Sequence, residues 1–300
     1  MAASPLTIVV AVNPMASFGR RAEVGPRTIR RLRDAGHEVV GVDEANIELL
    51  RRETTRAVEA GADALVVVGG DGMANLGANI VAQTGIPLGI VPSGTGNDLA
   101  EGLGIPVKDT DAALDQLLGA LGRAPRVIDA AIVRHGGLTT WYAGVLSAGF
   151  DAMVNERANL MSWPRGRSRY VFALLRQLAT LKPIRYEIVA DGVPIAIEAL
   201  LISVANNRSF GGGMQIVPHA DLADGMLDLF VVAPMSKLAL LRVFPKVFSG
   251  THTNLPVVSF QRVRSVTLNA LDVVAYADGE RVGPLPIEVT VMPGALAVLA

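Results

Sequence analysis

One stretch narrows the possible folds more than any other. Leu65-Val66-Val67-Val68 runs directly into Gly69-Gly70-Asp71-Gly72, followed by Met73-Ala74-Asn75. Four apolar, mostly β-branched residues in a row read as a strand buried on both faces, the pattern of a parallel sheet covered by helices. The strand then ends in glycines, where no side chain shields the backbone. N–H groups there can approach a ligand closely, and glycine tolerates the positive φ that such turns often adopt. A helix predicted from about Met73 adds its positive dipole end to the same place.

A second stretch repeats the pattern. Pro87-Leu88-Gly89-Ile90-Val91 reads as a short buried strand, followed by Pro92-Ser93-Gly94-Thr95-Gly96-Asn97-Asp98. Asn97 or Asp98 is placed to cap a helix starting at Leu99. Two such turns on consecutive strands face one another across the carboxyl edge of a sheet, where open α/β folds hold ligands. Each carries a carboxylate, Asp71 or Asp98, among amides suited to phosphate. Magnesium reconciles the two negative partners, since it binds through one or two carboxylates plus substrate phosphates. The pair therefore reads as a site for a magnesium nucleotide. It is not a Walker loop, because no Gly-x-x-x-x-Gly-Lys-Ser/Thr occurs. Nor is it a dinucleotide fingerprint, since Asn75 and Leu99 stand three residues beyond Gly72 and Gly96.

Around these turns the first part of the chain alternates strands and helices. Leu6–Val12, His37–Val42 and Leu65–Val68 read as strands, and Gly25–Asp34, Ile47–Glu59 and Asp111–Leu121 as helices, with Gly36 and Gly61 as stops. Short spacing of this kind gives a parallel βαβ sheet. The pattern changes near Pro125. Val127–Val133, Thr139–Gly149, Ile184–Ala190, Ala199–Ala205, Met226–Val232 and Val263–Leu268 read as strands of an antiparallel β domain. The expected fold class is α/β: an N-terminal parallel-sheet nucleotide-binding domain plus a C-terminal antiparallel, β-sandwich-like domain.

Composition removes whole classes of function. Half of the 300 residues are hydrophobic and 18% are charged, which excludes global disorder. The absence of cysteine excludes disulfides, thiolate nucleophiles and zinc–thiolate sites. His37, His135, His219 and His252 are scattered without metal-ligand spacing. A net charge of −1 argues against a general nucleic-acid binder. The N-terminal apolar run, interrupted by Asn13, reads as a first strand rather than a signal peptide. No apolar stretch reaches the ~18 residues of a membrane span. The expected location is cytoplasmic.

Gly69-Gly70-Asp71-Gly72 and Pro92-Ser93-Gly94-Thr95-Gly96-Asn97-Asp98 resemble the motifs of the soluble bacterial diacylglycerol kinases, relatives of sphingosine kinases and more remotely of NAD kinases. Further matches are Val12-Asn13-Pro14, Ala148-Gly149-Phe150-Asp151, Gly211-Gly212-Gly213, Pro218-His219-Ala220 with Asp224-Gly225, and Tyr276-Ala277-Asp278-Gly279-Glu280. The resemblance covers nearly the whole chain. It implies an ATP-dependent lipid kinase with magnesium, turning diacylglycerol into phosphatidic acid at the inner face of the membrane. Residues 1–125 would form the nucleotide-binding domain, rejoined by 287–300, and 126–286 the lipid-substrate domain. Nucleotide contacts are implied for Asn13, Pro14, Ser17, Asp43, Gly69, Gly70, Gly72, Met73, Asn75, Gly94, Thr95, Gly96 and Asn97, with Asp71 and Asp98 on the metal side. The segment around Asp224 would hold a second, structural magnesium through the Asp224 carboxylate and the backbone carbonyls of Asp221 and Met226. Two departures stand out. Ala16 and Ser17 occupy positions where the family has serine and glycine, and Met73 replaces a usual threonine.

Asp278-Gly279-Glu280 alone reads as a hairpin turn. Phosphoryl transfer to an alcohol also needs a carboxylate to orient the hydroxyl and accept its proton. With Asp71 and Asp98 committed to the metal, Glu280 matches the family's general base. Two helical insertions carry basic and bulky apolar residues. Residues 157–185 hold Arg157, Arg165, Arg167, Arg169, Arg176, Lys182 and Arg185 with no acid; Ser236–Ser249 holds Lys237, Arg242 and Lys246. Trp163–Arg169 reads as a membrane contact and Ser236–Ser249 as packing on the β domain. Expected partners are a diacylglycerol-type lipid and a transient membrane contact, without nucleic acid; a homodimer is left open. Two rival readings remain: a kinase acting on a sphingoid base, another lipid alcohol or NAD, and a non-catalytic nucleotide or lipid sensor.

Overall fold

The computed structural model describes residues 4–13, 23–149, 152 and 182–300. The expectations for Pro14, Ala16, Ser17, Arg20, Arg21, Phe150, Asp151 and the basic insertion up to Leu181 lie outside the described residues. The chain divides into two units, Met1–Ile128 with Gly294–Ala300, and Asp129–Pro293.

In the first unit, strands β1 (Thr7–Val12), β2 (Glu38–Asp43), β3 (Ala64–Gly69) and β4 (Leu88–Pro92) alternate with helices α1 (Val24–Asp34), α2 (Ile47–Glu59) and α3 (Asp71–Val81), with α4 (Asp98–Gly102) and α5 (Thr110–Leu121) following. The strands pair in parallel in the order β2-β1-β3-β4. β3 and β4 are buried at every residue, as their unbroken apolar runs require, whereas β2, at the edge, is largely exposed. Ile8, Val10, Val66 and Val68 meet Leu32 of α1 and Leu114 and Leu117 of α5 in one core. Two helices start from side-chain caps. Asn46 accepts from the Glu48 and Leu49 amides, and Asp109 from those of Asp111 and Ala112; each cap contributes about 1 kcal/mol. The register lines up Asp43, Val12, Val68 and Val91 across the sheet. Asn13, Gly70 and Ser93 therefore all follow at the carboxyl edge.

The second unit is antiparallel. Strands β5 (Arg126–His135), β6 (Leu138–Tyr142), β7 (Val145–Gly149), β8 (Ile184–Ala190), β9 (Val193–Ala199), β10 (Leu201–Ala205) and β11 (Leu227–Val232) precede helix α6 (Lys237–Phe248). Then come β12 (Val258–Val263), β13 (Ser265–Asn269), β14 (Val274–Ala277), β15 (Glu280–Pro284) and β16 (Ile287–Leu299). One sheet has the order β12-β11-β10-β7-β14-β15. In the other, Ile287–Thr290 of β16 pair with β13, which pairs with β8 and then β9. Leu146, Ile202 and Leu229 of the first sheet share a core with Ile188, Val266 and Val289 of the second, which makes this unit a β-sandwich. Two buried tyrosines are satisfied there: Tyr142 donates to Val204 O and Tyr186 to Ala148 O, both at 3.2 Å. At the end of β16, Val298 and Leu299 pair in parallel with β4 of the first unit. The run Thr139–Gly149, read as one strand, is two. The chain breaks at Ala143-Gly144 because a side chain from far downstream takes up the amides there, as described below.

Candidate active site

The two glycine turns of the first unit are packed backbone against backbone. A Cβ on Gly70 would lie 2.6 Å from the Gly96 carbonyl oxygen and 3.0 Å from Gly94 Cα. A Cβ on Gly94 would overlap Gly70 Cα and come within 2.7 Å of Gly70 N. None of Gly69, Gly70, Gly94 or Gly96 has a positive φ. This corrects part of the sequence argument: glycine is required here for close approach, not for the left-handed region. Hydrogen bonds sew the turns together. Ser93 N–H donates to Gly69 O at 2.9 Å, and Asp71 N–H to Gly96 O at 3.3 Å.

Both carboxylates border Gly96. A Cβ there would stand 2.6 Å from Asp71 Oδ2 and 3.8 Å from Asp98 Oδ2. Asp98 is buried, 5% exposed. Asp71 opens α3, two residues before the start expected at Met73, and its Oδ1 accepts the Leu99 amide of α4 at 3.3 Å. The expected cap is thus corrected. Asn97 stands at the N-cap position of α4, but its side chain turns back on Gly94, accepting that residue's N–H and donating to its C=O, both at 3.1 Å. Asn97 holds the turn closed while Asp71 caps the helix from the other turn. Hard oxygen donors at this point, beside a glycine that leaves room, suit a small divalent cation and phosphates.

The remaining predicted nucleotide residues separate into groups. Asn13 and the exposed Asp43 share the carboxyl edge with Gly70 and Gly94, and Thr95 is exposed at the tip of its turn. Met73 is buried at 3% exposure against Gly69, and its N–H donates to Gly70 O at 3.0 Å. Its thioether and amide both serve the fold, so the missing hydroxyl falls at a packed position. Asn75 is likewise buried on α3, accepting Asn79 Nδ2 on its carbonyl at 2.9 Å and on Oδ1 at 3.2 Å.

In the second unit, Asp278 and Gly279 form the two-residue turn between β14 and β15, with φ of 50° and 84°. Paired positive φ values are the signature of the tight hairpin turn that Asp-Gly favours. The partly buried Asp278 carboxylate is engaged by backbone amides. Oδ2 accepts the Ala143 amide at 3.1 Å, and Oδ1 accepts those of Gly144 and Val145 at 3.0 Å. These bonds split β6 from β7. Burial first, and then the Asp278 charge, hold the Tyr142 phenol well above its usual pKa, so it remains a neutral donor. Glu280, the first residue of β15, is exposed and pairs with Ala277.

The Asp224 carboxylate, expected to hold a structural magnesium, has protein partners in this structure. Asp224 Oδ1 accepts the Met226 amide at 3.0 Å, and Oδ2 is ion-paired with Arg262. Asp221 Oδ1 accepts the Ala223 amide. The turn is fastened by Asp129, which is buried, accepts the Gly225 amide on Oδ2 and donates its own N–H to Leu222 O, both at 2.6 Å. Sequence reasoning passed over Asp129, although a single acid inside the apolar run Val127–Val133 was a signal. Nearby Asp228 has its pKa raised by burial, against the pull of His219 and Arg262.

Residues 7–130 match the family model described as the diacylglycerol kinase catalytic domain. Residues 144–300 match the one described as the YegS C-terminal NAD kinase beta sandwich-like domain. A diacylglycerol kinase of Mycobacterium tuberculosis is 38% identical over 97% of this chain and 94% of its own. A YegS-like lipid kinase of Stenotrophomonas maltophilia is 27% identical over 81% of this chain and 80% of its own. Among solved structures, a diacylglycerol kinase from Bacillus anthracis superposes with a TM-score of 0.74 at 18% identity, covering 99% of this chain and 97% of that one, which speaks for the fold alone. The matched domains, the extent of the tuberculosis relative and the paired glycine turns converge: the chain belongs to the diacylglycerol kinase and YegS-like family of lipid kinases.

Proposed function

We propose that this lipid kinase transfers the γ-phosphoryl group of ATP to the free hydroxyl of diacylglycerol, giving phosphatidic acid and ADP. The observation that carries the reading is the backbone contact of the two glycine turns, with Asp71 and Asp98 both beside Gly96. The turns offer amides to the β- and γ-phosphates, and Asn13, Asp43 and Thr95 stand on the same edge for the rest of the nucleotide. Asp71 and Asp98 would hold magnesium, which when bound neutralises charge on the transferring phosphoryl oxygens. The lipid oxygen forms a bond to the γ-phosphorus as the bond to the β–γ bridging oxygen breaks. The hydroxyl proton passes to Glu280, an exposed and therefore accessible carboxylate. Asp278 is a positioning residue: it holds the hairpin on which Glu280 sits.

The second unit contains an apolar cavity of about 70 Å³ between α6 and the strands, lined among others by Phe210, Met214, Phe230 and Phe244, smaller than an acyl chain but hydrocarbon-like in its lining. It supports an apolar acceptor over NAD. The test is transfer from radiolabelled ATP with magnesium to diacylglycerol, a sphingoid base and NAD in parallel. Label in phosphatidic acid bears the proposal out. Label only in another product moves the substrate within the family, and label in none favours a non-catalytic sensor.

A further inference from the structure

Helix α6 is apolar on both sides. Its inward residues Leu240, Val243, Phe244 and Val247 line the apolar cavity, yet none of its residues is fully buried. Its outward residues include Leu238 at 68% exposure, Leu241 at 44% and Phe248 at 46%, with exposed Pro245 between them. At ~100° per residue these four form a band roughly 80° wide. Lys237 borders the band on one side, and Arg242 and Lys246 border it on the other. The packing expected for Ser236–Ser249 thus accounts for only one face.

The charges on this helix have one sign: Lys237, Arg242 and Lys246 are its charged residues and it carries no Asp or Glu, in a chain whose net charge is −1. We propose that the outward face of α6 docks on the surface of an anionic lipid bilayer. The apolar band enters the boundary between headgroups and acyl chains, and the flanking cations extend to the headgroups with their aliphatic stems along the apolar layer. A protein partner is the poorer fit, because an acid-free cationic rim around leucines answers a uniformly anionic surface. The inference deepens the lipid-substrate reading and rests on it: docking through α6 brings the helix that lines the cavity to the layer in which the substrate is dissolved.

The test is co-sedimentation of the full chain with vesicles of phosphatidylcholine, alone or mixed with phosphatidylglycerol, at low and high salt. Binding is expected to require the anionic lipid and to weaken with salt. Each of R242Q and K246Q should lower it about fivefold, and L238S with L241S at least about tenfold. These side chains face outward, so melting temperature and phosphorylation of a dispersed short-chain diacylglycerol should stay at the wild-type level. Equal vesicle binding by wild type and variants overturns the proposal, as does equal wild-type binding to neutral and anionic vesicles. If dispersed diacylglycerol is phosphorylated in those cases, the docking alone has failed. Anionic vesicle binding that the variants lose, with no lipid phosphorylated, supports the docking and refutes the substrate reading.

Discussion

Replacing Gly70 with alanine tests the central geometric claim. The added Cβ would stand 2.6 Å from the Gly96 carbonyl oxygen and 3.0 Å from Gly94 Cα. Both neighbours are backbone, so no flexible side-chain end can swing aside. The turns must separate by most of an ångström. Overpacking of this kind costs about 1–3 kcal/mol, or roughly 3–10 °C in melting temperature for a unit of this size. Asp71 follows directly, and its contacts with Gly96 and Leu99 are the ones disturbed. A displacement near 1 Å at a reacting centre costs on the order of 10²-fold in rate. Gly70→Ala should therefore lose far more turnover than stability. Gly122→Ala serves as the control, since its Cβ would meet nothing within 4 Å. Thermal melts and initial rates at saturating ATP separate the two effects. A Gly70→Ala protein with turnover within a few-fold of wild type would refute the claim that contact between the turns sets up the site.

Three other perturbations probe the remaining residues. Glu280→Gln should cut turnover by about 10²–10⁴-fold while ATP affinity, measured by calorimetry, is unchanged; near-normal turnover removes Glu280 from proton transfer. Asp278→Ala strips three amides of their acceptor and should cost about 3 kcal/mol in denaturant unfolding, with turnover falling because the hairpin shifts; an unchanged midpoint would contradict that anchoring role. Asp228 has a folded-state pKa above its ordinary 3.8, so its favourable contribution is complete below that value and declines as pH rises through the folded-state pKa. Asp228→Asn should therefore gain stability relative to wild type over that rise, and parallel melting curves for the two proteins would argue against a burial-raised carboxyl.

Much of the first unit was legible because its signals are local. Unbroken β-branched runs mark β3 and β4, alternation of strand and helix marks the parallel sheet, and Asn46 and Asp109 stand where caps belong. The site acids were legible for the same reason, each following a glycine turn at a strand end. Carboxylates that act through distant amides were harder to read. Asp278 bonds residues more than 130 positions earlier, and Asp129 holds a turn 96 positions later. Both looked like ordinary acids in turn or strand contexts. Of the two cap candidates, Asn97 and Asp98, Asn97 holds the N-cap position, but its side chain has a better pair of partners in Gly94.

The chain's own chemistry determined which segments become strands and helices, because burial and period act over a few residues. It also determined where glycine leaves backbone bare and where acids gather around it. Tertiary structure decided which amide each carboxylate satisfies. It made Asp71 the cap of a helix 28 residues away, gave Asp224 to Arg262, and divided β16 between antiparallel pairing with β13 and parallel pairing with β4. Hydrogen-bond partners far apart in sequence are chosen by packing, since a buried polar group must find a partner wherever the fold brings one within reach.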